Sequence, residues 1–218
     1  MKDKTKTVKT SMKGSRLWGI FLLLLLIIID QATKLVADLY FSAAGTPDRI
    51  VLIEGWLSLC ITYNRGISYG LGADASPLIK IGVIAATAVL MLVFFILYLK
   101  MDKRRSFLRI ALIFIVAGGL GNLIDRTYYQ VWVEGMPYGV RDMVDLTRFG
   151  FAVCNFADFF IVGGAVAFVA ALIFFDRDAM IPLGKYKALA KEADEKAEAK
   201  KQAKREAKAA KKANKGKK

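Results

Sequence analysis

The chain contains no histidine. Acid–base chemistry must therefore run through carboxylates, lysine, tyrosine or water. Cysteine is almost as scarce, with Cys60 and Cys154 forming no motif. Without histidine beside them they make no zinc site, and a disulfide between them is not expected. Acidic residues are outnumbered 19 to 33 by Lys and Arg, which leaves a net charge of +14. A nucleic-acid partner is not expected from that charge, because it sits mostly at the two ends and in one short loop. Such a distribution is a membrane-topology signal.

What the chain has in excess is apolar surface: 56% of its 218 residues and a mean hydropathy of +0.40. That is too apolar for an ordinary soluble domain and points to an integral membrane protein. Residues 1–16 carry six Lys or Arg and form a basic N-terminus. The apolar run Leu17–Ile29 follows. A signal peptide is the rival reading, but Asp30 follows the apolar core directly and no small-residue cleavage site precedes Ala43-Ala44. The run is therefore expected to be an uncleaved first helix, about 17–37, long enough to cross a bilayer. Asp30 and Lys34 share one face of it at i, i+4, as a self-neutralising pair or as part of a site.

Residues 38–77 read as a long loop holding a hairpin: Ile50–Ile53 and Trp56–Tyr63 are rich in Ile, Val, Trp and Tyr, with Glu54-Gly55 between them. Asn64-Arg65-Gly66-Ile67-Ser68-Tyr69-Gly70 suits a tight turn. Further helices are expected at about 78–99, opened by Pro77, at about 107–124, and at about 156–175. The third ends in Gly118, Gly119 and Gly121, where small residues let membrane helices approach closely. Asp125 is unfavourable at that helix C-terminus, so Arg126 or another cation must offset it. Residues 127–154 read as a second long loop, which would place Asp142 on a loop. From Lys185 on, the tail has 14 Lys or Arg and five acids, and is expected to be solvated or near anionic lipid.

The positive-inside rule puts both termini in the cytoplasm and the two long loops on the outer side. Asp30, Lys34, Asn64, Asn122, Asp125, Asp142 and Asp158 then converge on one plane. Carboxylates at the edge of hydrocarbon are costly and are functional suspects. Two that share a site can hold a single proton between them, one activating water and the other donating to a carbonyl oxygen. The simpler reading is structural: Asn155 and Asp158 have capping-box spacing at the start of the fourth helix.

The ordered motifs Asp30-Gln31-Ala32-Thr33-Lys34, Asn64 through Gly70, Gly118 through Arg126, Val140-Arg141-Asp142-Met143 and Asn155-Phe156-Ala157-Asp158 resemble those of the bacterial lipoprotein signal peptidases, the signal peptidase II family. The resemblance spans about residues 17–176. It implies a four-helix membrane protein with a small extracytoplasmic β-cradle and a loop helix, that is, a mostly all-α membrane fold. It implies an aspartic endopeptidase that cuts diacylglyceryl-modified prolipoproteins just before the lipidated cysteine. Asp142 and Asp158 match the catalytic aspartates. Asp30, Lys34, Asn64, Gly66, Asn122, Asp125, Arg126, Asn155 and Ala157 match positions that support or line the site. No metal or other cofactor is implied. The partners are the prolipoprotein and membrane lipid, and a monomer is expected.

The chain departs from the family pattern at Arg141, usually aliphatic, and at Tyr69 and Cys154. Arg141 beside the dyad would depress an Asp pKa, and Asp145 is a competing acid three residues on. The expected layout is a basic terminus (1–16), a peptidase domain (17–176) and a Lys/Ala-rich tail (177–218). A small transporter or proton relay is the alternative, since intramembrane acids mark such pathways too. It calls for polar residues deep in several helices, and spans two and four carry none at mid-depth.

Overall fold

The computed structural model describes residues 3–66, 72–102, 105–128, 139–175 and 179–184, together with scattered tail positions as far as 206, and side chains from Arg16 onward. Four long helices are joined by a small sheet. The first, α1, runs Asp3–Phe41; α2 is Pro77–Lys100, α3 is Ser106–Tyr128 and α4 is Phe156–Ile173. Each carries an apolar stretch of membrane-crossing length, the shortest being the 18 residues of α4. At 1.5 Å per residue that is about 27 Å, close to the hydrocarbon thickness. The four spans fall where the apolar runs predict them, with α1 extending further into the basic N-terminus and α3 ending four residues later.

Helix α3 is the central one, with 61% of its apolar window buried against at most 22% in the others. Its glycines explain how neighbours reach it. A Cβ on Gly118 would overlap the Ala157 carbonyl of α4, one on Gly119 would overlap Met91 of α2, and one on Gly121 would overlap the Asp30 carboxylate of α1. Three glycines within four residues thus admit three different helices.

The sheet has strands β1 (Arg49–Ile53), β2 (Leu57–Asn64), β3 (Val140–Asp145) and β4 (Val153–Cys154), in spatial order 1-2-3-4 and antiparallel throughout. The predicted hairpin is present as β1 and β2, and Gly55 adopts φ +69° between them, a left-handed conformation that glycine takes without strain. β3 corrects the expectation that 127–154 is loop throughout. It lies between β2 and β4, and all six of its residues are buried. Three charges among six residues suppress the apolar alternation that announces a strand; they are tolerated because partners from other elements meet them. The pairing places Thr62 opposite Asp142 and Asn64 opposite Val140, with a slip in register between Leu59 and Thr62.

A 3-10 turn, Thr147–Phe149, follows β3. The expected loop helix has no α-helical counterpart among the described loop residues; residues 129–138, and residues 67–71 of the turn after Gly66, lie outside the described residues. The chain divides into two compact units, Met1–Val166 and Ala167–Lys218. Within the second, the chain after α4 turns back: Met180, Ile181 and Leu183 donate backbone hydrogen bonds to Leu172, Ile173 and Phe174.

Candidate active site

Helix α4 begins in a capping box. Asn155 accepts from the Asp158 backbone N–H through Oδ1 at 3.1 Å, and Asp158 Oδ2 accepts from the Asn155 N–H at 3.0 Å. Two of the N–H groups a helix start leaves unpaired are thereby satisfied. A third, that of Ala157, donates to Asp30 Oδ1 at 2.9 Å, so α1 supplies a cap that no local spacing reveals. Asp30 Oδ2 pairs with Lys34 Nζ at 2.9 Å, and both side chains are fully buried. The i, i+4 pair expected from the sequence is therefore present, and it also fixes the start of α4.

Lys34 donates onward to Asn122 Oδ1 at 3.0 Å. Because an ammonium can only donate, the Asn122 amide has one orientation, and its Nδ2 donates to Asp158 Oδ1 at 2.8 Å. Asn155 Nδ2 reaches both Asn122 Oδ1, at 3.1 Å, and Asp142 Oδ1, at 2.6 Å. One asparagine thus bonds to both aspartates singled out in the sequence. Asn64 closes the far side: its Oδ1 accepts from the Gly66 N–H at 2.9 Å, and its side chain hydrogen-bonds to Asp142. Arg126 Nη2 donates to the Gly66 carbonyl at 3.3 Å. Every site residue predicted from the sequence joins this network or the cluster bonded to it.

Asp142 is buried, and burial is the main reason its carboxyl is pushed up from 3.8 to about 7; the Asp158 charge adds to the rise, while hydrogen bonds from Asn155 and Asn64 and the Lys34 charge oppose it. Asp145 behaves oppositely. Thr147 donates to its Oδ1 through the hydroxyl at 2.6 Å and the backbone N–H at 2.9 Å. These bonds, with the Arg49 guanidinium at 2.6 Å from Oδ2, hold its pKa below the usual value. Asp145 lies three residues from Asp142 on a strand, so the pleat turns the two carboxylates to opposite faces.

The same pleat corrects the reading of Arg141. The Asp142 carboxyl is raised rather than lowered, and the cation that opposes the rise is Lys34. The Arg141 side chain leaves the other face of β3 and grips Asp125 of α3, Nη2 to Oδ1 at 2.9 Å and Nε to Oδ2 at 3.2 Å. Arg141 thus supplies the cation that Asp125 requires. Gln31, which the sequence reading quoted but gave no role, ties into the same cluster by accepting from Arg141 Nη2 at 3.1 Å and donating to Asp125 Oδ1 at 3.1 Å. Its place next to Asp30 was the available signal. Both cysteines are free. Cys154, next to Asn155, is pushed up to about 12, chiefly by burial and then by the Asp158 and Asp142 charges, which leaves it inert as a nucleophile.

Two solved structures, each described as a bacterial membrane enzyme, share the fold with TM-scores of 0.57 and 0.56. They are 23% and 22% identical to this chain and cover 71% of it, with 86% and 92% of their own lengths matched. Among curated proteins, a lipoprotein signal peptidase of Fusobacterium nucleatum subsp. nucleatum is 34% identical over 165 residues, 75% of this chain and 91% of the relative. One of Borreliella burgdorferi is 30% identical over 184 residues, 78% of this chain and 98% of the relative. Four membrane-length helices and the family match define the class: a multi-pass bacterial membrane protein, and a peptidase. The chain belongs to the signal peptidase (SPase) II family, whose model matches residues 22–174.

Proposed function

We propose that this protein removes signal peptides from diacylglyceryl-modified prolipoproteins, cutting just before the lipidated cysteine, with Asp142 and Asp158 as an aspartic dyad. Family membership and the names of the relatives support the substrate class. The observation that carries the dyad is Asn155, hydrogen-bonded at once to Asp142 and Asp158. With no histidine in the chain, a carboxylate pair is the acid–base machinery that this network offers.

In this mechanism Asp158, its oxygens accepting from Asn122 and from the Asn155 N–H, takes a proton from a water held between the two acids. The resulting hydroxide adds to the scissile carbonyl carbon. Asp142, which holds its proton to about pH 7, donates it to the carbonyl oxygen. Collapse of the tetrahedral intermediate breaks the C–N bond, and the proton gathered by Asp158 leaves on the new amine. The dyad then shares one proton again, after the carbonyl proton returns to Asp142. The supporting residues Asp30, Lys34, Asn64, Gly66, Asn122, Asp125, Arg126, Asn155 and Ala157 hold this geometry. The protein works as a monomer, with both termini cytoplasmic and the dyad at the outer membrane face. Residues 17–176 form the peptidase domain, flanked by the basic terminus 1–16 and the tail 177–218.

The test is cleavage of a purified diacylglyceryl prolipoprotein followed by mass analysis. Asp142→Asn and Asp158→Asn should each abolish the product with folding intact, and Asp145→Asn should keep most of the activity. An active Asp142→Asn beside a dead Asp145→Asn would move the dyad to Asp145, and two active dyad variants would remove the aspartic mechanism.

A further inference from the structure

Arg141 stands where the resembling family usually has an aliphatic residue, and in this chain it is 3% exposed. A buried guanidinium is costly unless its donors are met, and here they are met from two helices. Its backbone N–H and its Nε both donate to Asp125 Oδ2, at 3.0 and 3.2 Å, and its Nη2 donates to Asp125 Oδ1 at 2.9 Å and to Gln31 Oε1 at 3.1 Å. Nη1 lies 3.9 Å from Asp38 Oδ2, and Asp38 in turn accepts from the Tyr63 hydroxyl of β2. Gln31 Nε2 fills the remaining site on Asp125 Oδ1 at 3.1 Å and also donates to the Gly121 carbonyl at 3.0 Å. A carboxylate offers about four acceptor sites, and three of the four used on Asp125 come from Arg141.

Two consequences meet at the dyad. The Arg141 backbone N–H donates to Asp125 of α3 and its side chain grips the same carboxylate, so the direction in which the next residue, Asp142, leaves β3 is set by Arg141. Lys34 Nζ lies 3.8 Å from Asp125 Oδ2 but 2.9 Å from Asp30 and 3.0 Å from Asn122. With Asp125 already saturated, Lys34 stays on Asn122, which orients the bond to Asp158 Oδ1. We propose that Arg141 is a positioning residue for both acids: it clamps β3 to α1 and α3 and keeps Lys34 on the Asn122–Asp158 arm. The inference rests on the aspartic reading of Asp142 and Asp158.

The decisive variant is Asp125→Asn with Arg141→Leu, which removes the guanidinium–carboxylate clamp without leaving a buried charge unpaired. Thermal melting in detergent, kcat and KM for a diacylglyceryl prolipoprotein are measured on it, on Arg141→Lys and on Asp142→Asn. The double variant should melt like the native protein and lose between about 10- and 100-fold in kcat with KM little changed, the expected result of a misplaced reacting group. Arg141→Lys, which keeps the charge but not the planar fork, should fall between the two. A double variant cleaving at the native kcat would overturn the proposal. If Asp142→Asn still cleaves, the dyad itself is wrong; if it is dead while the double variant is fully active, only the role of Arg141 falls.

Discussion

Asp142 is the residue whose environment says most about the chemistry. Its folded pKa, about 7, stands above the ordinary 3.8, so folding favours the neutral form. The stability this contributes is fully present below the unfolded pKa and is lost as pH rises through about 7. Asp142→Asn should therefore melt higher than the native protein at pH 8, with a gap that narrows toward pH 5; equal gaps at the two pH values would contradict the assignment. Under the proposed mechanism cleavage should weaken above pH 7, as Asp142 loses the proton it would donate, read as the alkaline limb of kcat/KM against pH. Cys154 lies one residue from Asn155, but with its thiol pushed up to about 12 it should resist iodoacetamide at pH 8, by intact-mass measurement, until the protein is unfolded.

At the scale of elements, the buried pair on α1 does two things at once. Asp30 neutralises Lys34 and caps α4 through Ala157. Removing one partner strands a charge in an apolar interior and costs about 3–5 kcal/mol, more than removing both. Lys34→Ala and Asp30→Ala should each destabilise strongly, and the double variant should lose less than their sum; strictly additive losses in a melting-based double-mutant cycle would contradict the coupling. Helix packing at α3 is as demanding. A methyl group on Gly118 meets the Ala157 carbonyl and the Ile161 backbone N, both rigid, so Gly118→Ala should push α4 away and reduce cleavage along with the melting temperature. A Cβ on Gly163, which meets nothing within 4 Å, is the matched control and should leave both unchanged.

For the whole molecule, the basic segments predict the orientation. Reporter fusions after residues 60, 103, 140 and 200 should read out, in, out, in. An outside signal at 103 would invert the protein and put the proposed dyad at the cytoplasmic face. The tail from Lys185 carries 14 Lys or Arg and lies beyond residues 22–174, the segment that the family model matches. Deleting 185–218 should therefore leave prolipoprotein cleavage unchanged in detergent, where no charged bilayer is present.

Local signals were legible and long-range ones were not. Apolar runs located the four spans, β-branched and aromatic residues around Glu54-Gly55 located the hairpin, and two short spacings identified the Asp30–Lys34 pair and the Asn155–Asp158 capping box. Each is decided by residues within a few positions of one another, so the sequence by itself determined them. β3 was missed because Arg141, Asp142 and Asp145 interrupt its apolar residues, and a charged strand is tolerable only once α1, α3 and β1 provide Gln31, Asp125 and Arg49 to meet those charges. The cap that Asp30 places on Ala157 joins positions 127 residues apart, a pairing that no local spacing can encode. The sequence singled out Asp142 and Asp158 as candidates, but only tertiary structure decided which face of the strand each charge takes. Burial and the pleat together turn Asp142 toward Asn155 and Arg141 toward Asp125.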